Sequence, residues 1–529
     1  MMLQQMKQMG SFLVMGFLMT QIPICVFGQA HKKTPNILFA IADDQSYPHA
    51  SVYGQKLYKT PVFDSIAQAG VLFKNAFAAA PQCSPSRAAL LTGRQIWQLE
   101  EAGTHASLFP KKFPVFTDAI ESVGYFIGYT GKPWDPGNFK DAGWTRNPVG
   151  PEYNKEQLKS LPTKGISKTD YVANFKDFLE DKPTDKPFFF WFGSQEPHRV
   201  YEEGSGKASG LKLDEVIVPP FLPNNDLVRN DILDYALEIQ WFDQQLGKML
   251  AMLKERGELD NTIVIITADN GMPFPYAKAN LQEYGTHVPL TMAGPNIKKS
   301  KQQIETLVGL IDLAPTITEI AGAPALQGIA GTSLLPLLKG AISDKKLSTN
   351  KQYVFTGRER HSHARPDNLG YPARAIRTED YLLIENFKTD RWPLGDPAPV
   401  KKTEILGKGD LKPILEGYED IDDSPTKSYM VQNKALIASL FQLSFEKRNS
   451  FELYNIKNDP YCMHDISGKT DVSIVLAKLK QTLHSKLLEQ SDPRMTGNGD
   501  VFDSYPRFGL MRPFDGFKER AKYNPAYKQ

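Results

Sequence analysis

Four short apolar runs set the pattern of this chain. Residues 36–42, 125–130, 187–193 and 262–268 are continuous rather than alternating, and they lead into Asp43-Asp44, Gly131-Lys132, Gln195-Glu196-Pro197-His198 and Asp269-Asn270-Gly271. Runs of this kind read as strands buried on both faces. With helical segments between them, they predict an α/β domain with a large, mostly parallel sheet flanked by helices. In such sheets ligands gather beyond the carboxyl ends of the strands, so four polar strand ends nominate one site.

A helical period governs residues 231–256. Ile232, Ala236, Ile239, Phe242, Leu246, Leu250 and Leu253 recur every three or four positions, forming one stripe of a scaffold helix that Gly257 can end. Further on, 381–384 and 451–454 read as strands and 475–488 as a helix. The division that follows is a leader over 1–30, a catalytic α/β domain over 31–372, and a C-terminal subdomain and tail over 373–529.

The chain has 529 residues, 41% of them hydrophobic, enough to bury a large core. Its formal net charge of +2 lacks the basic excess of a nucleic-acid binder, so a polyanionic partner must be held by a local patch. The leader pattern is Lys7, an apolar run over 12–19, and small residues at Gly28 and Ala30. It is too short to span a bilayer and reads as an export signal cleaved after Gly28 or Ala30. No lipid anchor and no stable membrane association are expected, and the location expected is a bacterial periplasm. Of three cysteines, Cys25 leaves with the leader; Cys83 and Cys462 remain.

The stretch on which the chemistry turns is Cys83-Ser84-Pro85-Ser86-Arg87, continuing Ala88-Ala89-Leu90-Leu91-Thr92-Gly93-Arg94. Pro85 suits the first turn of a helix over 88–91 and Gly93 offers its stop, which places Cys83 just ahead of a helix N-terminus with Arg87 one turn on. That end of a helix favours an anion. Asp43, Asp44, Asp269 and Asn270 offer only oxygen, the donor set of a hard cation such as calcium or magnesium.

The stretch resembles the maturation signature of the type I, formylglycine-dependent sulfatases. The resemblance implies an alkaline-phosphatase-like fold with a smaller C-terminal domain of antiparallel sheet and packed helix. It also implies that a formylglycine-generating maturation enzyme oxidises Cys83 to formylglycine, whose hydrate attacks sulfur in a double displacement. One calcium ion is then bound by Asp43, Asp44, Asp269, Asn270 and an oxygen of modified residue 83. Arg87 and Lys132 hold the sulfate, Lys278 is a further basic contact to it, and His198 protonates the departing atom. Pro219-Pro220-Phe221-Leu222-Pro223-Asn224, Asp269 to Pro275, Arg374-Ala375-Ile376-Arg377 and Glu452-Leu453-Tyr454-Asn455 resemble the heparan N-sulfatase (sulfamidase) branch. That implies a sulfated oligosaccharide substrate, with an N-sulfate or O-sulfate leaving.

The chain departs from the family at Trp134, where most members carry a histidine two residues after the lysine. The base is therefore open, with His287 a candidate substitute or substrate contact. Arg358, Arg360, His361, His363, Arg365, Arg374 and Arg377 crowd into twenty residues and either bind the anionic groups of a sugar or form a solvated loop. Two further readings share the motifs: a formylglycine-dependent phosphonate or phosphodiester hydrolase, and a non-catalytic binder of sulfated glycans.

Overall fold

The computed structural model describes residues 33–298, 302–398 and 417–512; the expected leader lies outside them. The large sheet contains β1 (Asn36–Ala42), β2 (Val71–Phe77), β3 (Phe126–Gly131), β4 (Phe188–Gly193), β5 (Thr262–Ala268), β6 (His287–Ala293), β7 (Gln302–Ile304) and β8 (Val308–Gly309). Its order is β3-β4-β1-β5-β6-β2-β7, with β8 also on β2. The four strands read from sequence form one contiguous parallel block, β3-β4-β1-β5. Every residue of β1 and β5 is buried, as their unbroken apolar character requires.

Among the described strands of this sheet, only β6 runs against its neighbours. The cause is local: beyond β5 the chain stays at the same end of the sheet through residue 286 and then returns directly beside β5. An antiparallel neighbour needs no crossover helix. That excursion carries much of the site.

The scaffold helix spans Asp226–Glu255, starting earlier than its apolar stripe because the Asn225 side chain accepts from the Val228 N–H. A second sheet, antiparallel throughout, has the order β12-β11-β10-β9, with β9 Val354–Arg358, β10 Ala373–Arg377, β11 Tyr381–Asn386 and β12 Phe451–Asn455. The Ser473–Glu489 helix packs on it through Leu479, Leu483 and Leu487, three leucines spaced four apart whose burial contributes about 2 kcal/mol each. Among the described residues no helix is long and apolar enough to cross a membrane.

Candidate active site

The Cys83 helix spans Cys83–Thr92, so Cys83 is its first residue rather than the one before it. Pro85 falls in the first turn, where no backbone N–H is needed. Gly93 closes the helix at φ 68°, its N–H donating to Ala89 O. The helix is buried along its whole length and aims its N-terminus at the carboxyl ends of β1 and β5.

There the strand-end residues converge. Asp44 adopts φ 67°, a left-handed conformation costing about 1 kcal/mol, and its N–H donates to Asp269 Oδ1 at 3.1 Å. Carboxylate oxygens of Asp43, Asp44 and Asp269 lie within 4.8 Å of one another. Asn270 donates to Asp44 Oδ1 at 2.7 Å, which leaves its own Oδ1 buried without a hydrogen-bond partner; Asp43 Oδ1 is equally without one. Two orphaned buried oxygens among three carboxylates fit a hard divalent cation.

Cationic side chains surround this acidic core. Arg87, fully buried, donates through Nε to Asp269 Oδ2 at 2.7 Å and through Nη1 to the carbonyls of Lys132 and Pro133, while its Nη2 lacks a hydrogen-bond partner. Lys132 reaches Asp43 Oδ2 at 2.5 Å. Its position follows from Gly131, whose φ of 75° and approach to Gly193 O leave a Cβ only 2.0 Å from that oxygen. Lys278 bridges Asp44 Oδ2 at 2.6 Å and Asp422 Oδ2 at 2.8 Å.

The charges shape one another. Burial pushes the Asp43 carboxyl up, but Lys132, His198 and Arg87 outweigh it and hold the group below the usual range. Burial and then Asp43 raise Asp269. Burial and the facing Asp43 push the Cys83 thiol well up, against the pull of Lys132. For Lys278, Asp422 and Asp44 more than reverse the effect of burial and keep it protonated.

Cys83 Sγ stands 4.0 Å from Asp44 Oδ1. It also lies within 4.8 Å of a His198 ring nitrogen and an Asp43 oxygen. His198 Nε2 is 3.7 Å from Asp44 Oδ2, and Nδ1 lies 2.5 Å from the Arg199 carbonyl. Arg199 is clamped by Asp231 at 2.7 and 2.8 Å, between the rings of Tyr201 and Phe274. Asp231 also accepts from Thr426 Oγ1 at 2.5 Å.

Trp134 fills its place by packing. It is buried edge-on to Phe109, and its indole N–H donates to Ser84 O at 3.0 Å. An indole N–H is a donor only, so this position can hold the turn at Ser84 and cannot accept a proton.

The structure brings together Asp43, Asp44, Cys83, Arg87, Lys132, His198, Asp269, Asn270 and Lys278. It does not place His287 with them: both ring nitrogens are occupied, by Glu283 at 3.0 Å and Lys74 O at 2.8 Å, and the ring stacks on Tyr47. The arginines crowded in sequence are likewise held by the protein. Arg358 pairs with Asp420, Arg360 donates to the carbonyls of Tyr505 and Pro506, and Arg374 is fully buried between Asp492 and Glu359. They serve as internal ties, neither a sugar-binding patch nor a solvated loop. His361 borders the site, with Nδ1 on Asp420 O and its ring against His105.

Two site residues were missed. Asp422 arrives from a loop more than 130 residues beyond Lys278, and its one sequence signal is the acidic run Glu419 to Asp423 opposite a basic one. His105 is buried beside His361, and the N–H of the next residue donates to Ser84 Oγ at 3.0 Å.

The parallel strand block thus gathers a carboxylate cluster that could hold a cation, a buried arginine and a cysteine at a helix N-terminus. Residues 35–323 match the sulfatase family, and the chain belongs to it. Residues 275–414 match the C-terminal region of N-sulphoglucosamine sulphohydrolase. The human N-sulphoglucosamine sulphohydrolase is 29% identical over 89% of this chain and 94% of its own. An ulvan-active sulfatase of Formosa agariphila is 26% identical over 88% and 82%. A putative sulfatase from Bacteroides thetaiotaomicron shares the fold, with a TM-score of 0.61 at 20% identity over 88% of this chain and 94% of that one.

Proposed function

We propose that this sulfatase releases sulfate from sulfated glycans, using Cys83 converted to formylglycine together with one calcium ion. The observation that carries the reading is Cys83, at a helix N-terminus, within reach of both His198 and a buried carboxylate set beside which Asp43 Oδ1 and Asn270 Oδ1 accept no hydrogen bond. Asp43, Asp44, Asp269 and Asn270 would hold the cation, which supplies Lewis-acid polarisation of a sulfate oxygen. The oxidised side chain supplies a hydrated aldehyde as nucleophile.

This chain's own residues do the rest. Arg87, Lys132 and Lys278 bind the sulfate oxygens and offset their charge. His198, oriented by the Arg199 carbonyl, gives a proton to the departing atom. Trp134 fixes the turn of residue 84. Exported action in a periplasm, after cleavage near Gly28 or Ala30, belongs to the same proposal.

The test is sulfate release from heparan-type saccharides by protein co-produced with a maturation enzyme, compared with Cys83→Ala. The variant is expected to melt like the parent and release nothing. Turnover by Cys83→Ala would overturn the reading.

A further inference from the structure

Two ionisable side chains paired with Asp44 or Lys278 are partly exposed: His198 at 31% and Asp422 at 29%. Arg87, Asp43, Asp44, Asp269 and Lys278 are at 2% or less. A sulfate group fits among the enclosed cations, so the rest of the substrate must leave through the open side. Oxygen and nitrogen atoms of Asp422, His198 and Asp44 lie within 4.8 Å of one another on that side. A substrate entering that way would have its leaving atom near His198 and Asp422.

Unlike Asp43, Asp44 and Asp269, the Asp422 carboxylate is not one of the groups that would hold the cation. It opposes the bound sulfate, and Lys278 already has Asp44 as a partner. Its value is as an acceptor. The bridging nitrogen of an N-sulfated amine carries one hydrogen, whereas the bridging oxygen of a sulfate ester carries none and meets a carboxylate with lone pairs alone.

Resting on the sulfatase reading above, we propose that Asp422 selects the leaving group by accepting the N–H of an N-sulfated amino sugar and then binding the departing amine. The S–N bonding pair goes to nitrogen as the sulfuryl group passes to the nucleophile, and His198 supplies a proton. Overall, R–NH–SO3⁻ and water give R–NH3⁺ and sulfate, with no oxidant or reductant. Lys278 and His198 hold the Asp422 carboxyl far below its usual range against the effect of burial, so it is an acceptor throughout the neutral range.

The experiment compares the calcium-loaded, matured wild type with Asp422→Asn and Asp422→Glu. The substrates are N-sulfoglucosamine and an O-sulfated glucosamine, offered separately, with glucosamine and inorganic sulfate as separate inhibitors. Asp422→Asn is expected to lower kcat/KM roughly 10- to 100-fold, the range for losing one hydrogen bond to a charged group. Glucosamine inhibition should weaken about tenfold while sulfate inhibition stays within about twofold. Asp422→Glu should recover part of both losses. Inhibition constants do not depend on how much of a variant folds. If sulfate binding weakens while glucosamine binding holds, Asp422 merely places Lys278 and the proposal falls. A wild type that desulfates only O-sulfated sugars also overturns it and leaves the sulfatase reading standing; a wild type that releases no sulfate from either overturns both.

Discussion

Replacing Asp231 with alanine should unfasten the open side of the site from two directions at once. Asp231 receives both guanidinium N–H groups of Arg199 at 2.7 and 2.8 Å and the Thr426 hydroxyl at 2.5 Å. Arg199 carries the carbonyl that orients His198, and Thr426 lies four residues beyond Asp422. Both members of the ion pair are almost wholly buried, so truncating Asp231 strands a charge between two aromatic rings. Breaking a buried pair on one side costs about 3–5 kcal/mol. An unfolding entropy of about 2.1 cal/mol/K per residue, over roughly 460 residues, makes 1 kcal/mol worth about 1 °C, so melting should fall by about 3–5 °C. Differential scanning calorimetry measures that fall, and sulfate release from the folded fraction should drop at least tenfold as His198 loses its orientation. Asp231→Asn keeps an acceptor and should lose less on both counts. Unchanged melting and turnover in Asp231→Ala would refute the reasoning.

Three further outcomes are expected. Glu283 is held at about 2, because Arg377 and His287 outweigh the upward push of burial. Its contribution of about 3 kcal/mol is present above the unfolded value near 4.5 and lost as pH falls towards 2, so Glu283→Gln should flatten urea stability over that window; an unchanged acid limb would contradict the assignment. Trp134→Phe removes the donor to Ser84 O and should cost about 1–2 kcal/mol, read by urea unfolding, with reduced turnover; parent-like behaviour would mean the indole N–H is idle. Withdrawing calcium with a chelator should lower melting and activity together, and restoring calcium at about 100 times its dissociation constant should return about 2.7 kcal/mol; melting indifferent to calcium would argue against the oxygen cluster as its site.

Much of this site could be read from the sequence because its residues follow directly on strands. Asp43, Asp44, Asp269 and Asn270 come straight after two largely apolar runs, which, buried on both faces, lie as neighbouring parallel strands. The arginines after residue 357 show the opposite case. Their crowding suggested a surface for anions, yet Asp420 and Asp492, which bind Arg358 and Arg374, stand 62 and 118 residues away along the chain. An arginine's role depends on whether a carboxylate reaches it, and no local pattern reports that. Asp422 stayed hidden for the same reason. β6 escaped notice because a strand beside its predecessor needs no helix to announce it.

If oxidised Cys83 does the chemistry, turnover must track the fraction of residue 83 that is converted. Preparations made with graded amounts of maturation enzyme differ in the fraction of residue 83 converted. Peptide mass spectrometry reports that fraction as the loss in mass when CH2SH becomes CHO. Plotted against it, the rate of sulfate release in calcium should form a straight line through the origin. Turnover by unconverted protein, or none by fully converted protein, would contradict the account.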